Sequence, residues 1–270
     1  MNNTGVFEKE VNEKLLRFQA DFAVHSLKDL HAGISDKLVI ASIPKRERPN
    51  DVFINSLDDK KLNQLPPSSI IGTSSIRRAL QIKTQYPHLK IKSIRGNVET
   101  RLNRSKEKKH SGIILAEAGI DRLGLVNSIT QRLNIRSFTP APGQGALAIV
   151  CRKEDAELLT MLKKIENVKS LLEVQAERSL TDAIGAGCTV PLGALAFAQI
   201  KQKRISLYAV VYSLDGRKSI KTVMQHGIKH PQELGKIVAD DLVSKGAKEI
   251  TKEWNNNNSM NIEVLNELIE

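Results

Sequence analysis

Four arginines stand close together in the first half of the chain, each beside small polar residues. Arg77 and Arg78 follow a Thr-Ser-Ser turn at 73–75, and Arg95 and Arg101 flank a Gly-Asn pair one predicted strand later. A guanidinium group pairs with a carboxylate or phosphate through two parallel hydrogen bonds, and hydroxyl and backbone N–H groups add further donors. The pattern predicts a site that binds several carboxylates or phosphates; a solvated basic face is the alternative.

Arg77 and Arg78 occupy an unusual position in a predicted helix. Residues 70–85 have the pattern strand, turn, helix, so both arginines fall in the first helical turn. Unpaired N–H groups and the helix dipole favour anions at that end and disfavour cations. Pairing with carboxylates explains why arginines are placed there. An N-cap serine followed by solvated arginines is the alternative.

The segment SIRGNVETR at 93–101 repeats this arrangement after the next predicted strand. Arg95 and Asn97 end that strand, and Arg101 lies on the helix that follows. In open α/β sheets, ligands bind beyond the carboxyl ends of the strands. Two neighbouring strand ends therefore predict one shared anion pocket.

Lys28 and Asp29 follow a third predicted strand, in the segment HSLKD at 25–29. A carboxylate surrounded by cations stays ionised, and it can stabilise a cationic intermediate or exchange protons. An aspartate that caps a helix is the alternative.

Cys188 lies in the glycine-flanked loop GAGCTVPLG at 185–193. Small neighbours leave its sulfur accessible, and a thiolate can form a covalent bond with a reactant. A buried structural cysteine is the alternative. Cys151, in the apolar segment ALAIVC, is expected to be inert core.

Composition limits the kind of partner. The 41 Lys and Arg against 30 Asp and Glu give a net charge of +11, which predicts an anionic partner. Only 4% of residues are aromatic, so there are few surfaces on which single-stranded bases could stack. We therefore expect a small polyanionic molecule and no nucleic acid.

Two cysteines give neither a disulfide framework nor a zinc-type spacing, so no metal site is expected. No signal-peptide layout and no run of roughly 20 apolar residues is present, so we expect a cytoplasmic protein without a membrane partner.

The elements that must position these residues follow an α/β pattern. Between residues 51 and 116 strands and helices alternate, which predicts a mostly parallel sheet with helices on both faces. From about residue 166 the pattern changes to one helix, a hairpin around Asp215-Gly216 and a closing helix. A chain of 270 residues is long enough for two or three domains.

The chain resembles the porphobilinogen deaminase (hydroxymethylbilane synthase) family in seven collinear segments that cover nearly its whole length. They are VHSLKDL at 24–30, IGTSSIRRALQ at 71–81, SIRGNVETRL at 93–102, ILAEAGIDRLG at 114–124, PAPGQGALAI at 140–149, AERSL at 176–180 and GAGCTVPLGA at 185–194.

This resemblance implies an α/β fold of three domains. The first two are expected to resemble periplasmic binding proteins around a cleft, and the third is a small α+β domain with the cofactor cysteine. The expected boundaries are 1–46 with 141–164 for domain 1, 47–140 for domain 2 and 165–270 for domain 3.

The resemblance also implies a transferase of porphyrin and haem biosynthesis that acts as a monomer. Four porphobilinogen molecules are condensed, with loss of ammonia each time, into linear hydroxymethylbilane. The primer is a dipyrromethane cofactor, expected to be held by a thioether to Cys188.

Asp29 matches the catalytic carboxylate of the family, which stabilises the cationic species formed when ammonia leaves. The positions that match cofactor-binding residues are Ser26, Lys28, Thr73, Ser74, Ser75, Arg77, Arg78, Arg95 and Asn97, besides Cys188. Arg101, Arg122, Phe7 and Gln144 match further positions along the path of the substrate chain.

The start of the chain departs from the family. The family's N-terminal strand and helix, with a Gly-Thr-Arg-x-Ser-x-Leu-Ala stretch, have no match; the chain begins near a Gly-Lys-Gly-Leu-Phe segment, represented by residues 3–7. We therefore expect domain 1 to be N-terminally incomplete and less stable than in a full-length relative, because a missing strand leaves backbone groups unpaired.

Three functions remain open on the sequence. The first is the enzyme, the second is a truncated inactive homologue or a non-catalytic anion-binding module, and the third is a nucleic-acid binder. A simple receptor needs neither Asp29 nor Cys188, and a nucleic-acid binder would spread its arginines over a convex face.

Overall fold

The computed structural model describes residues 4–30, 33–55, 57–107, 109–185, 190–213 and 215–256. No helix within these ranges is long and apolar enough to cross a membrane. Within the same ranges no group of His, Cys, Asp and Glu side chains could hold a metal ion.

Eleven strands and eight α-helices are present in these ranges. The strands are β1 Phe22–Ser26, β2 Leu38–Ser42, β3 Asp51–Asn55, β4 Ile70–Gly72, β5 Lys90–Lys92, β6 Gly112–Ala116, β7 Gln131–Arg132, β8 Leu147–Arg152, β9 Leu192–Gln199, β10 Arg204–Tyr212 and β11 Ser219–Gly227. The helices are α1 Thr4–Leu16, α2 Ile76–Gln85, α3 Val98–Ser105, α4 Glu117–Arg122, α5 Ala156–Lys163, α6 Val168–Ile184, α7 Pro231–Ser244 and α8 Ala247–Asn256. The predicted α/β class is confirmed.

The first sheet has the antiparallel order β1-β8-β2. Alternate residues of β1 point to opposite faces. Ala23 packs into a core with Leu15 of α1, while Phe22 and Val24 on the other face are exposed. β1 is an edge strand in this order, and it leads directly into a 3-10 turn at Leu27–Asp29.

The second sheet has the order β5-β4-β6-β3-β7. β4 pairs in parallel with β5 and β6, whereas β3 pairs antiparallel with β6 and β7. The predicted parallel pairing therefore holds for β4, β5 and β6 only. Because β4 and β5 are parallel neighbours, the loops that lead from them into α2 and α3 lie at the same edge.

The third sheet is the antiparallel order β11-β10-β9, covered by α6, α7 and α8. β10 and β11 form the hairpin predicted around Asp215-Gly216. In α8 the indole of Trp254 is buried and donates to the carbonyl of Tyr212 at 3.0 Å.

Apolar side chains join the three sheets. Leu80 of α2 lies in the core of the third sheet, and Val174 of α6 lies in the core of the first. The division into domains at 46, 140 and 164 stays a prediction.

A buried carboxylate holds both segments through which the chain crosses between the first and second sheets. Arg46, in the first crossing, donates to both oxygens of Glu177 on α6, at 2.6 and 3.0 Å. Glu177 also accepts from the backbone N–H of Gly143, in the second crossing, at 2.6 Å, and from that of Ala196 on β9 at 2.8 Å. One side chain therefore fixes the relative positions of two crossings and the third sheet.

We expect Glu177→Gln to lower the free energy of unfolding by about 3 kcal/mol, because it removes the nearer counter-ion of the buried Arg46 guanidinium and leaves only Glu173, at 4.0 Å. Urea unfolding measures the change. Arg17→Ala, which breaks an exposed ion pair with Glu13 on α1, is the control and should cost less than about 1 kcal/mol. Equal losses in the two variants would contradict the role of Glu177.

Candidate functional site

The turn that carries Lys28 and Asp29 is seated on the second crossing. Leu27 is buried, and its backbone N–H donates to the carbonyl of Ala146 at 3.0 Å. Gly143 has φ +73°, and a Cβ there would lie 2.9 Å from the Leu27 side chain. This close approach requires glycine. In the turn itself Lys28 is partly buried and Asp29 is exposed.

Arg77 and Arg78 are buried and share one carboxylate of the chain itself. Arg77 Nη2 donates to Asp51 Oδ2 at 2.8 Å, and Arg78 donates to Asp51 Oδ1 from Nε at 2.9 Å. Each guanidinium group also donates to one backbone carbonyl, Arg77 to that of Thr139 at 2.6 Å and Arg78 to that of Ile114 at 3.1 Å. Both arginines therefore pair with an internal carboxylate, Asp51. The predicted binding of ligand carboxylates stays a prediction.

Gln144 completes this group of buried side chains. Its Nε2 donates to Asp51 Oδ1 at 3.0 Å and to the carbonyl of Pro49 at 2.7 Å. Its Oε1 accepts from Arg78 at 3.4 Å. Burial raises the pKa of Asp51, but Arg77, Arg78 and the Gln144 hydrogen bond outweigh it, so that the pKa lies below its usual range.

Lys28, Asp29, Arg78 and Arg101 lie in one electrostatic environment. The pKa of Lys28 is lowered to about 8, chiefly by burial and also by Arg78 and Arg77, whereas Asp29 and Asp51 act to raise it. The pKa of Arg101 is lowered by burial and by Arg78, and raised by Asp29. The six residues Lys28, Asp29, Asp51, Arg77, Arg78 and Arg101 are called the charged cluster below.

Ser74 joins the two strand-end loops that the sequence places side by side. Its hydroxyl lies 2.8 Å from the Ser93 hydroxyl, donates to the carbonyl of Ile94 at 2.8 Å and accepts from the Ile94 N–H at 3.1 Å. Thr73 Oγ1 accepts from the N–H of Ser75, which is the N-cap of α2 and makes no side-chain capping bond. The side chain of Ser74 therefore links the loops to each other.

The loop before α3 is closed by its own residues. Asn97 caps α3 by accepting from the N–H of Thr100 at 2.8 Å, and Arg101 Nε donates to the carbonyl of Gly96 at 2.7 Å. Gly96 has φ +120°, and a Cβ there would lie 2.6 Å from the Thr100 side chain, so only glycine fits. Arg95 is exposed.

Other predicted site residues have no described contact with the charged cluster. Arg122, at the end of α4, is exposed and donates to the carbonyl of Gly145 at 3.2 Å. Ser26 ends β1, opposite Leu147. Phe7 lies in α1, but its side chain and the whole of Cys188 lie outside the described residues.

A surface cavity of about 400 Å³ lies elsewhere, at the end of β1 away from the Lys28–Asp29 turn. It is lined by Phe18 and Arg152, among others, and by no member of the charged cluster. Arg152 donates to the carbonyls of Leu15 and Ala20, so it closes the end of α1.

The sequence interpretation missed Asp51, Arg46 and Glu177. Asp51 is an acidic residue directly before the apolar run VFI, at the start of β3. A carboxylate that is buried beside a strand needs a partner of opposite charge. Arg77 and Arg78, for which the sequence shows no internal partner, follow Asp51 by 26 and 27 positions. Glu177 carries no comparable signal.

Two family models match the chain. The model described as "Porphobilinogen deaminase, dipyromethane cofactor binding domain" matches residues 1–160, and "Porphobilinogen deaminase, C-terminal domain" matches residues 171–244. A probable porphobilinogen deaminase of Nitrosopumilus maritimus is 41% identical over 94% of this chain and 80% of its own length. Porphobilinogen deaminase of Desulforamulus reducens is 39% identical over 94% of this chain and 81% of its length.

Solved structures give a weaker similarity. A putative methionine-binding lipoprotein of Bacillus subtilis covers 61% of this chain and 78% of its own, with a TM-score of 0.39 and 13% identity. This similarity is too low to support an inference about fold or ligand.

The buried ammonium of Lys28 makes stability depend on pH. Its pKa is about 8 in the folded protein and near the ordinary lysine value of 10.5 in the unfolded chain. Between these values the unfolded chain binds more protons than the folded chain, so the free energy of unfolding rises with pH. The destabilisation caused by protonated Lys28 is therefore full below about pH 8 and disappears towards pH 10.5. We expect Lys28→Met to be more stable than the natural chain at pH 7.

The difference between the natural chain and Lys28→Met should shrink between pH 7 and about pH 10, measured as urea midpoints at each pH. Lys83→Met, on the exposed face of α2, is the control. The difference between its urea midpoint and that of the natural chain should be the same at pH 7 and at about pH 10. A constant difference for Lys28→Met would contradict the assignment.

Proposed function

Because the chain belongs to the porphobilinogen deaminase family, we propose that the charged cluster is where it acts on porphobilinogen. The chain is a transferase of tetrapyrrole biosynthesis, and its reaction joins porphobilinogen molecules into hydroxymethylbilane with release of ammonia. We assign the binding of porphobilinogen and the release of ammonia to the residues below.

One observation carries the assignment: the exposed carboxylate of Asp29 shares its surroundings with Lys28, Arg78 and Arg101. The whole charged cluster contains four cations and two carboxylates, which leaves two positive charges. Each porphobilinogen ring carries two carboxylates, an acetate and a propionate, which this positive excess attracts. A nucleic-acid surface needs no such carboxylate among its cations.

The residues present also fit the dipyrromethane cofactor of the family, because an excess of buried cations suits a group that carries several carboxylates. The cofactor supplies a covalently held pyrrole to which the next pyrrole is joined. We assign its attachment to Cys188 and its carboxylates to Lys28, Arg78 and the adjacent strand-end loops. In the resemblance these loops contribute Thr73, Ser74, Ser75, Arg77, Arg95 and Asn97, with Ser26 beside them.

Asp29 and the cations have different tasks in this proposal. The carboxylate of Asp29 stabilises positive charge on a pyrrole nitrogen while ammonia leaves. Lys28, Arg78 and Arg101 hold the ring carboxylates and so keep the reacting carbon near Asp29. Arg122, Gln144 and Phe7 are assigned to the path of the growing chain.

The three sheets are proposed to be the three domains, with the boundaries given above. A monomeric state and a cytoplasmic location belong to the proposal and rest on the resemblance alone. A non-catalytic receptor is the second candidate, and the two experiments below separate it from the enzyme.

We expect the protein purified from a haem-synthesising host to carry a covalent dipyrromethane, because the family attaches this group to a cysteine. Intact-mass spectrometry should show the added mass in the natural chain and none in Cys188→Ala. Cys151→Ala is the control, since Cys151 is fully buried in β8 and should leave the adduct in place. An adduct that survives in Cys188→Ala would refute the attachment site.

We expect Asp29→Asn to reduce turnover of porphobilinogen by about 10²–10⁴-fold while the covalent adduct remains, because the amide has the shape of the carboxylate but no charge. Consumption of porphobilinogen measures turnover. Asp36→Asn, exposed between β1 and β2, is the control and should keep normal activity. Turnover by Asp29→Asn close to that of the control would remove Asp29 from the mechanism.

A further inference from the structure

We propose that Asp51 is a positioning residue, which holds Arg77 and Arg78 in the orientation that receives a ligand carboxylate. This inference rests on the proposed function, since it concerns how the charged cluster recognises porphobilinogen. Asp51 itself is fully buried and is assigned no contact with ligand.

The backbone of Asp51 is fixed on both sides. It is the first residue of β3 and pairs with Ala116 of β6. Its carbonyl accepts from the N–H of Leu133 at 2.9 Å. Because the strand sets the Cβ direction, the carboxylate has one place to lie before any ligand arrives.

The carboxylate in turn fixes both guanidinium groups. Arg77 is held between Asp51 at 2.8 Å and the carbonyl of Thr139 at 2.6 Å, and Arg78 between Asp51 at 2.9 Å and the carbonyl of Ile114 at 3.1 Å. Neither group can rotate without losing a hydrogen bond in a buried place, which is costly. Groups held in advance bind a ligand without the entropy cost of ordering them.

Asp51 also sets the charge of the cluster. Two buried guanidinium groups beside one carboxylate have a net charge of +1, which a ligand carboxylate can neutralise. The same carboxylate favours the protonated form of Lys28, whereas Arg78 and Arg77 disfavour it. Asp29 likewise favours the protonated form of Lys28. Removal of the Asp51 charge should therefore release both arginines from their fixed orientation and lower the protonated fraction of Lys28.

The test is the dependence of kcat and KM for porphobilinogen on pH, in the natural holoenzyme and in Asp51→Asn. We expect KM to rise about tenfold or more in Asp51→Asn, with kcat changed less than about threefold, because ring binding is affected and Asp29 is not. The alkaline decline of kcat/KM should move to lower pH, since Lys28 loses a neighbouring anion. A purely structural role would not move it.

Two further variants complete the test. Asp51→Glu keeps the charge, and it should bring the alkaline decline back towards the natural position. Asp58→Asn removes an exposed aspartate that follows β3 and accepts from Asn55, and it should leave both parameters unchanged.

Folded Asp51→Asn with natural KM and natural pH dependence would overturn the inference. If Asp51→Asn does not fold, Asp51→Glu decides: its longer side chain keeps the charge but displaces the two guanidinium groups, so KM should rise about threefold while the alkaline decline stays near its natural position, and an unchanged KM overturns the inference. A natural chain without turnover would instead refute the proposed function.

Discussion

Two buried carboxylates, Asp51 and Glu177, hold the chain where it passes between the first and second sheets, and the rest of the site depends on them. Glu177 binds Arg46 and the backbone of Gly143, one in each crossing. Asp51 binds Arg77 and Arg78 at the start of the second sheet. Gln144 connects the two groups, because its side chain donates to Asp51 and its backbone carbonyl accepts from Arg46 at 2.9 Å.

Such buried ion pairs do more for geometry than for stability. The desolvation of two charges offsets most of their attraction, whereas the loss of one partner leaves a buried charge unpaired and costs several kcal/mol. The network therefore permits one arrangement of the crossings. That arrangement places the turn of Lys28 and Asp29, which follows β1, within electrostatic reach of Arg78 on α2 and Arg101 on α3.

Local patterns predicted much of the fold and part of the site. Strand, turn and helix around 70–85, the hairpin at 215–216 and the adjacency of the two strand-end loops follow from spacing and turn chemistry. Local patterns do not predict the antiparallel direction of β3 or the carboxylate that pairs with Arg77 and Arg78, because both depend on contacts between residues distant in sequence. Arg46 and Glu177 are 131 positions apart, and no spacing rule connects them. The hydrogen bonds of the Ser74 hydroxyl to Ser93 and Ile94 also join residues about 20 positions apart, and spacing does not predict them.

We propose that the charged cluster of this chain binds pyrrole carboxylates while Asp29 assists the loss of ammonia. The most direct measurement is the yield of ammonia and of hydroxymethylbilane from porphobilinogen, with the purified chain of 270 residues that carries the covalent adduct. We expect four ammonia molecules for each hydroxymethylbilane. Folded, adduct-carrying protein that releases neither product would contradict it.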